Sequence, residues 1–119
     1  MASQTYAIVE VFTSEGAHWH GSPLYEAIVH LVARDERGGR CIVTKGVAGC
    51  FENGRVASHR VLDISYNMPV KVEIIVPQSE LEKLLPHIEE MVGDGIVLVR
   101  EADVRLHRTA VDQGSLPRA

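Results

Sequence analysis

Two stretches of this chain follow one plan: an apolar β-branched run, an amphipathic helix, then a second apolar run. The later copy is the clearer. Val70-Lys71-Val72-Glu73-Ile74-Ile75-Val76-Pro77 reads as a buried strand. Ser79 and Glu82 match a capping box, which predicts a helix start there. Leu81, Leu84, Leu85, Ile88, Met91 and Val92 then share one helical face, and Pro86 inside it predicts a kink. Gly93-Asp94-Gly95 stops the helix and turns into a strand beginning at Ile96–Val99. Along its continuation Val104, Leu106 and Arg108 share one side, and Arg105 and His107 the other.

The earlier copy has a strand at Tyr6–Phe12, a polar loop at Thr13–Gly21, and Ser22-Pro23 as N-cap and first helical residue. Leu24, Ile28, Leu31 and Val32 form the apolar helix stripe, and Gly38-Gly39 closes it. Arg40–Lys45 reads as a strand, Gly46–Ser58 as a flexible loop, and His59–Tyr66 as a further strand. Asn67-Met68-Pro69 is a short break, so the strands on either side of it could form one bent ribbon. The resulting β-α-β-β-α-β order predicts an α+β fold: a ferredoxin-like plait, its antiparallel sheet covered by two helices on one face. Ile42, Ile64, Val72 and Ile74 add more apolar surface than two helices bury, which predicts an oligomer. Residues 1–108 form the domain, and 109–119, with Gly114, Ser115 and Pro117, a flexible C-terminal tail.

Composition excludes several classes. A net charge of −4 carries no basic footprint for nucleic acid. No apolar run spans a bilayer, the first residues lack a secretory signal, and two cysteines make no disulfide framework. A cytoplasmic protein, not itself membrane-inserted, is expected. There is no G-x-S-x-G and no Walker motif, so a regulator is expected rather than an enzyme.

The strand "VKVEIIVP" and the turn "GDGIVLV", in this order and spacing, resemble the PII signal-transduction superfamily. "HGSPLYEAIVHLV" through "VTKGVAG" is similar to a poorly characterised PII-like branch, and the match covers about residues 6–108. The resemblance implies a homotrimer with adenine nucleotides in clefts between subunits, no covalently bound cofactor, and a mobile loop at 46–58 that signals to a membrane transporter or enzyme. It places Gly46, Val47, Ala48, Gly49, Cys50 and Phe51 at the loop base, Ile75 against the adenine, and Gly93, Asp94 and Gly95 on the phosphate side. Either Arg105 and His107 or Arg108 would face the cleft from the last strand. Glycine-rich turns suit this role because their backbone N–H groups can form an anion nest.

Some cations of the pattern are missing. Ile96 stands where PII proteins have lysine after Gly-Asp-Gly, and the loop base reads Gly49-Cys50-Phe51. One lost charge-assisted bond costs on the order of 1.5–3 kcal/mol, so AMP or ADP is expected over ATP. Relatives on this branch serve transport of small ions or inorganic carbon, which suggests bicarbonate as a second anion, held by Arg55, His59 or Arg60. The alternative is a metal-binding trimer resembling the CutA proteins, using His18 and His20. Against it, two ligands fall short of the third and fourth a metal site usually needs, and His18-Trp19-His20 reads rather as a polar loop whose indole covers a subunit edge. Cys41 reads as a small hydrophobe, Cys50 as the more reactive thiol.

Overall fold

The computed structural model of the protein describes residues 4–35, 39–58 and 67–110. In chain order the elements are β1 (Gln4–Ser14), the two-residue strands β2 (His18–Trp19) and β3 (Ser22–Pro23), α1 (Leu24–Arg34), β4 (Arg40–Lys45), β5 (Ala48–Cys50), β6 (Val56–Ser58), β7 (Pro69–Pro77), α2 (Gln78–Met91) and β8 (Ile96–Val104). The four long strands pair antiparallel in the order β4-β7-β1-β8, and β2–β3 and β5–β6 are separate small hairpins. Each β-α-β half therefore splits around a strand of the other, the ferredoxin-like arrangement.

The core is the period-2 pattern made physical. Ala7, Val9 and Val11 of β1 and Val70, Val72, Ile74 and Val76 of β7 alternate onto one face, where they meet Leu24, Ile28 and Val32 of α1 and Leu81, Leu84 and Ile88 of α2. Each fully buried aliphatic side chain contributes roughly 1.5–3 kcal/mol. Val72 and Ile74 thus belong to the covered face and not, as the sequence suggested, to the bare one.

The bare face carries the other parity. Phe12 lies between Lys71 and Ile96, Glu10 between Glu73 and Leu98, and Ile8 between Ile75 and Arg100. Ile42 (59% exposed), Ile96 and Phe12 leave apolar surface open there. Glu10 and Glu73 sit directly opposite, a like-charge pair that would repel. The Arg100 guanidinium reaches Glu10 at 3.2 Å and Glu73 at 3.8 Å; the Lys71 ammonium reaches them at 3.6 and 3.9 Å. Two cations thus balance two carboxylates at the centre of this face.

Local signals were less dependable than the periodicity. Pro23, not Ser22, is the N-cap of α1, because Ser22 pairs with Trp19 in the β2–β3 hairpin. Pro77 is the N-cap of α2, so Ser79 falls inside the first turn and no side-chain cap forms. The α1 helix ends at Arg34, before Gly38-Gly39. The α2 helix continues through Pro86 to Met91. The segment read as a flexible loop, Gly46–Ser58, contains the β5–β6 hairpin. The strand expected at His59–Tyr66, with Ile64, and the tail beyond Ala110 lie outside the described residues.

Candidate functional site

At one end of the sheet, on its bare side, lies a cleft of about 590 Å³. Its floor comes from Phe12 of β1, Lys71 of β7 and Ile96 at the start of β8, which the register sets side by side. One wall is the chain leaving β4: Gly46, Ala48, Gly49, Cys50 and Phe51 all line the cleft. The opposite wall is the turn Asp94-Gly95. The loop base and the Gly-Asp-Gly turn, more than forty residues apart in sequence, meet because β7 and β8 both pair with β1.

Close backbone approach explains two of the glycines. A Cβ on Gly49 would stand 2.8 Å from Cγ of Pro69, where β5 crosses the start of β7. Gly95 has φ +153°, and a Cβ there would stand 2.5 Å from the Phe12 carbonyl oxygen. The turn is tied to the sheet by the Thr13 hydroxyl, which donates to the Asp94 carbonyl at 2.8 Å. The loop base is tied by Gly46 N–H donating to the Pro69 carbonyl at 2.8 Å.

The cleft is lined by Lys45 and Lys71 together with Glu52 and Asp94. Lys45 is held by Glu15 at 2.7 Å, and that hydrogen bond and charge raise its pKa. Lys71 is shared between Glu10 and Glu73. The cationic charge is therefore already balanced by the protein's own carboxylates.

Of the remaining sequence candidates, Val47 is 72% exposed, and Val47 and Gly93 are outside the cleft lining. Arg55 stacks its guanidinium 5.7 Å from the Phe51 ring centroid, and lines a neighbouring hollow with Asn53 and Asp94. His59 and Arg60 lie outside the described residues. Ile75, His107 and Arg108 line a different cavity, about 200 Å³, at the other end of the sheet beside Tyr6 and Arg40. There the Tyr6 hydroxyl and His107 Nδ1 are hydrogen-bonded at 2.9 Å. β8 ends at Val104, so the alternation does not carry through residues 105–108, and Arg105 lines neither cavity. The register places Ile8 opposite Ile75 and Ser14 opposite Pro69. Six residues of strand separate the two ends, roughly 20 Å.

Sequence reading missed the lining residues that come from the strands, among them Phe12, Thr13, Thr44, Lys45, Pro69 and Lys71. Strand alternation could have put Thr44 and Lys71 on the bare face; the bond from Thr13 to Asp94 has no sequence signal.

His18 and His20 do not form a pair. His18 Nδ1 donates to the Gly16 carbonyl at 2.6 Å, while His20 has left the strand at φ +50° and stacks on Trp19. Among the described residues no group of three or more His, Cys, Asp or Glu is arranged to hold a metal ion. Burial pushes the Cys41 thiol up to about 11, whereas Cys50 is exposed at the cleft. No helix among the described residues is long and apolar enough to cross a membrane.

The split β-α-β sheet with both helices on one face is the fold of PII-like proteins. A nitrogen regulatory PII-like protein from Thiomonas intermedia, CPII, whose structure is bound to ADP, AMP and bicarbonate, aligns with a TM-score of 0.54 at 16% identity, covering 86% of this chain and 90% of that one. A putative PII-like signaling protein from Thermus thermophilus aligns with a TM-score of 0.54 at 17% identity, covering 87% and 91%. The chain belongs to the DUF190 family, described as an uncharacterized ACR (COG1993), whose model matches residues 6–104. It is similar to a UPF0166 protein of Methanocaldococcus jannaschii, 26% identical over 98 residues, covering 82% of this chain and 89% of the relative. A UPF0166 protein of Aquifex aeolicus is 29% identical over 100 residues, covering 82% and 90%.

Proposed function

We propose that this protein is a PII-like regulator that senses an adenine nucleotide in clefts between the subunits of a homotrimer. The observation that carries the reading is the meeting of the loop base Gly46–Phe51 with Asp94-Gly95 in one cleft, with Ile75, His107 and Arg108 at the far end of the sheet. One nucleotide cannot touch both ends of one chain. Two chains packed bare face toward bare face, around a three-fold axis, would bring the end of one against the other end of its neighbour. The apolar surface around Ile42, Phe12 and Ile96 supports such packing.

AMP or ADP is favoured over ATP. The lysines of the cleft are already engaged by Glu15, Glu10 and Glu73, and Glu52 and Asp94 add negative charge to its lining. Each further phosphate brings charge that few uncommitted cations await. The ligand acts by binding one arrangement of the Gly46–Ser58 segment better than another. That segment then signals to a transporter or enzyme in the cytoplasm, with regulation rather than catalysis as its output. The neighbour bound to ADP, AMP and bicarbonate supports the nucleotide class and suggests bicarbonate as second signal, taken by Arg55, with His59 and Arg60 as further candidates.

Calorimetry with AMP, ADP and ATP tests the reading, alongside light scattering for the trimer. Micromolar AMP or ADP binding is expected. ATP bound tenfold tighter than both would sink the preference, and no adenine nucleotide bound at millimolar concentration would sink the reading.

A further inference from the structure

On the opposite side of the sheet a groove of about 330 Å³ runs between α1 and α2 under the β2–β3 hairpin. We propose that it is a separate ligand site, for a small zwitterion with an apolar side chain, the chemistry of a free α-amino acid.

Charge is the first argument. Arg34 of α1 and Glu90 of α2 both line the groove, one from each facing helix. Neither forms an ion pair or hydrogen bond with the other or with another described residue. An anion would meet Glu90 and a cation would meet Arg34, each unfavourably. A molecule carrying both a carboxylate and an ammonium satisfies both poles, with a planar fork from the guanidinium to the carboxylate. His30 and His87 line the same groove and add hydrogen-bonding rings.

The apolar lining is the second argument. Trp19, Ala27, Leu31 and Met91 line the same groove. The Trp19 indole stacks on the His20 ring, centroids 4.0 Å apart with 16° between the rings, and the Trp19 backbone pairs with Ser22 across the hairpin. The turn His20-Gly21 has φ +50° and +82°, the form that two-residue hairpins normally fill with Asn-Gly or Asp-Gly. Histidine there accepts backbone strain and supplies the ring that backs Trp19.

Size is the third. At 330 Å³ the groove is at the lower limit for small-molecule sites, suited to an amino acid rather than a nucleotide.

Trp19 is the single tryptophan, so its emission reports the groove directly. The full chain is titrated with L-leucine, L-methionine and L-glutamine, and the leucine analogues 4-methylpentanoate and 3-methylbutylamine, each lacking one pole. A saturable change is expected with at least one amino acid. The one-pole analogues should bind about tenfold or more weaker than leucine, as should the best amino acid to Arg34→Gln or Glu90→Gln. Both positions are exposed, and circular dichroism should show both variants folded. No saturable response to any of the three amino acids overturns the proposal. So does equal binding of either one-pole analogue, or unchanged affinity in both folded variants. Calorimetry with the nucleotides is a separate readout, and its failure would leave this result standing.

Discussion

Replacing Gly95 by alanine tests whether the Gly-Asp-Gly turn is shaped by contact with the sheet or is merely a helix stop. The added Cβ would sit 2.5 Å from the carbonyl oxygen of Phe12 and 3.3 Å from Cβ of Thr13, at φ +153°. The first of these atoms is backbone in the central strand β1, so it cannot swing aside as a side-chain tip would. Relief requires the turn to retreat by roughly 0.5–1 Å, which is overpacking at a rigid site, costing about 1–3 kcal/mol. Alanine at this φ adds about 1–3 kcal/mol of backbone strain. Partial relaxation shares these terms, so a loss of about 2–4 kcal/mol is expected, a fall in Tm on the order of 10–20 °C. Gly93 is the internal control. A Cβ there meets nothing within 4 Å and its φ lies outside the left-handed range, so Gly93→Ala should stay within about 0.5 kcal/mol of the parent. Urea unfolding of the parent and both variants measures the difference. The same retreat weakens the Thr13–Asp94 bond, so if the cleft takes a nucleotide as proposed, Gly95→Ala should loosen its binding more than Gly93→Ala does. A Gly95→Ala protein as stable as Gly93→Ala would refute the close-contact reasoning.

Three further outcomes follow from the packing. Ile88→Ala, at a fully buried position of α2, should cost about 2–5 kcal/mol in urea unfolding; a loss under 1 kcal/mol would mean the site collapses around the deletion. Arg100→Met removes a cation shared by Glu10 and Glu73. It should cost about 1–2 kcal/mol, discounted because Arg100 is half exposed; no loss at low salt would mean Lys71 alone balances both carboxylates. Cys41 stays protonated from pH 7 to 9 because burial raises its pKa to about 11 from 9.0. In the folded protein at pH 8, Ellman's reagent should therefore modify exposed Cys50 first, with Cys41 slower by on the order of 100-fold, whereas two equally fast thiols would contradict that burial.

The sheet and its helices were legible because periodicity reports a simple geometric fact. Val9, Val11, Leu24, Ile28, Leu84 and Ile88 fall where their repeats demand, and all are buried. Parity was harder to assign. Val72 and Ile74 were expected on the bare face because "VKVEIIVP" is apolar at both parities from Ile74 to Val76, and only pairing with Val11 and Val9 shows which side faces the helices. The caps misled because Ser22 found a cross-strand partner and a proline took the N-cap position of each helix. For the candidate site, the glycine motifs pointed to two segments that the fold brings together. They did not reveal that Ile75 and His107 belong to the other end, since distance along a strand is invisible until the register is known. Nor did spacing show the fate of His18-x-His20, which depends on a positive-φ turn conformation at His20 that is uncommon for non-glycine residues.

The separation of the two sheet ends has a genetic consequence. If each cleft takes one end from each of two neighbours, a lesion at Gly95 and a lesion at His107 damage different partners of the same cleft. Two inactive variants, mixed while unfolded and refolded together, would form rings in which some clefts take their intact ends from opposite parents. At equal proportions about one cleft in four is whole, by random assortment within a closed ring. Partial complementation between two individually dead alleles would then be expected, with no recombination between them.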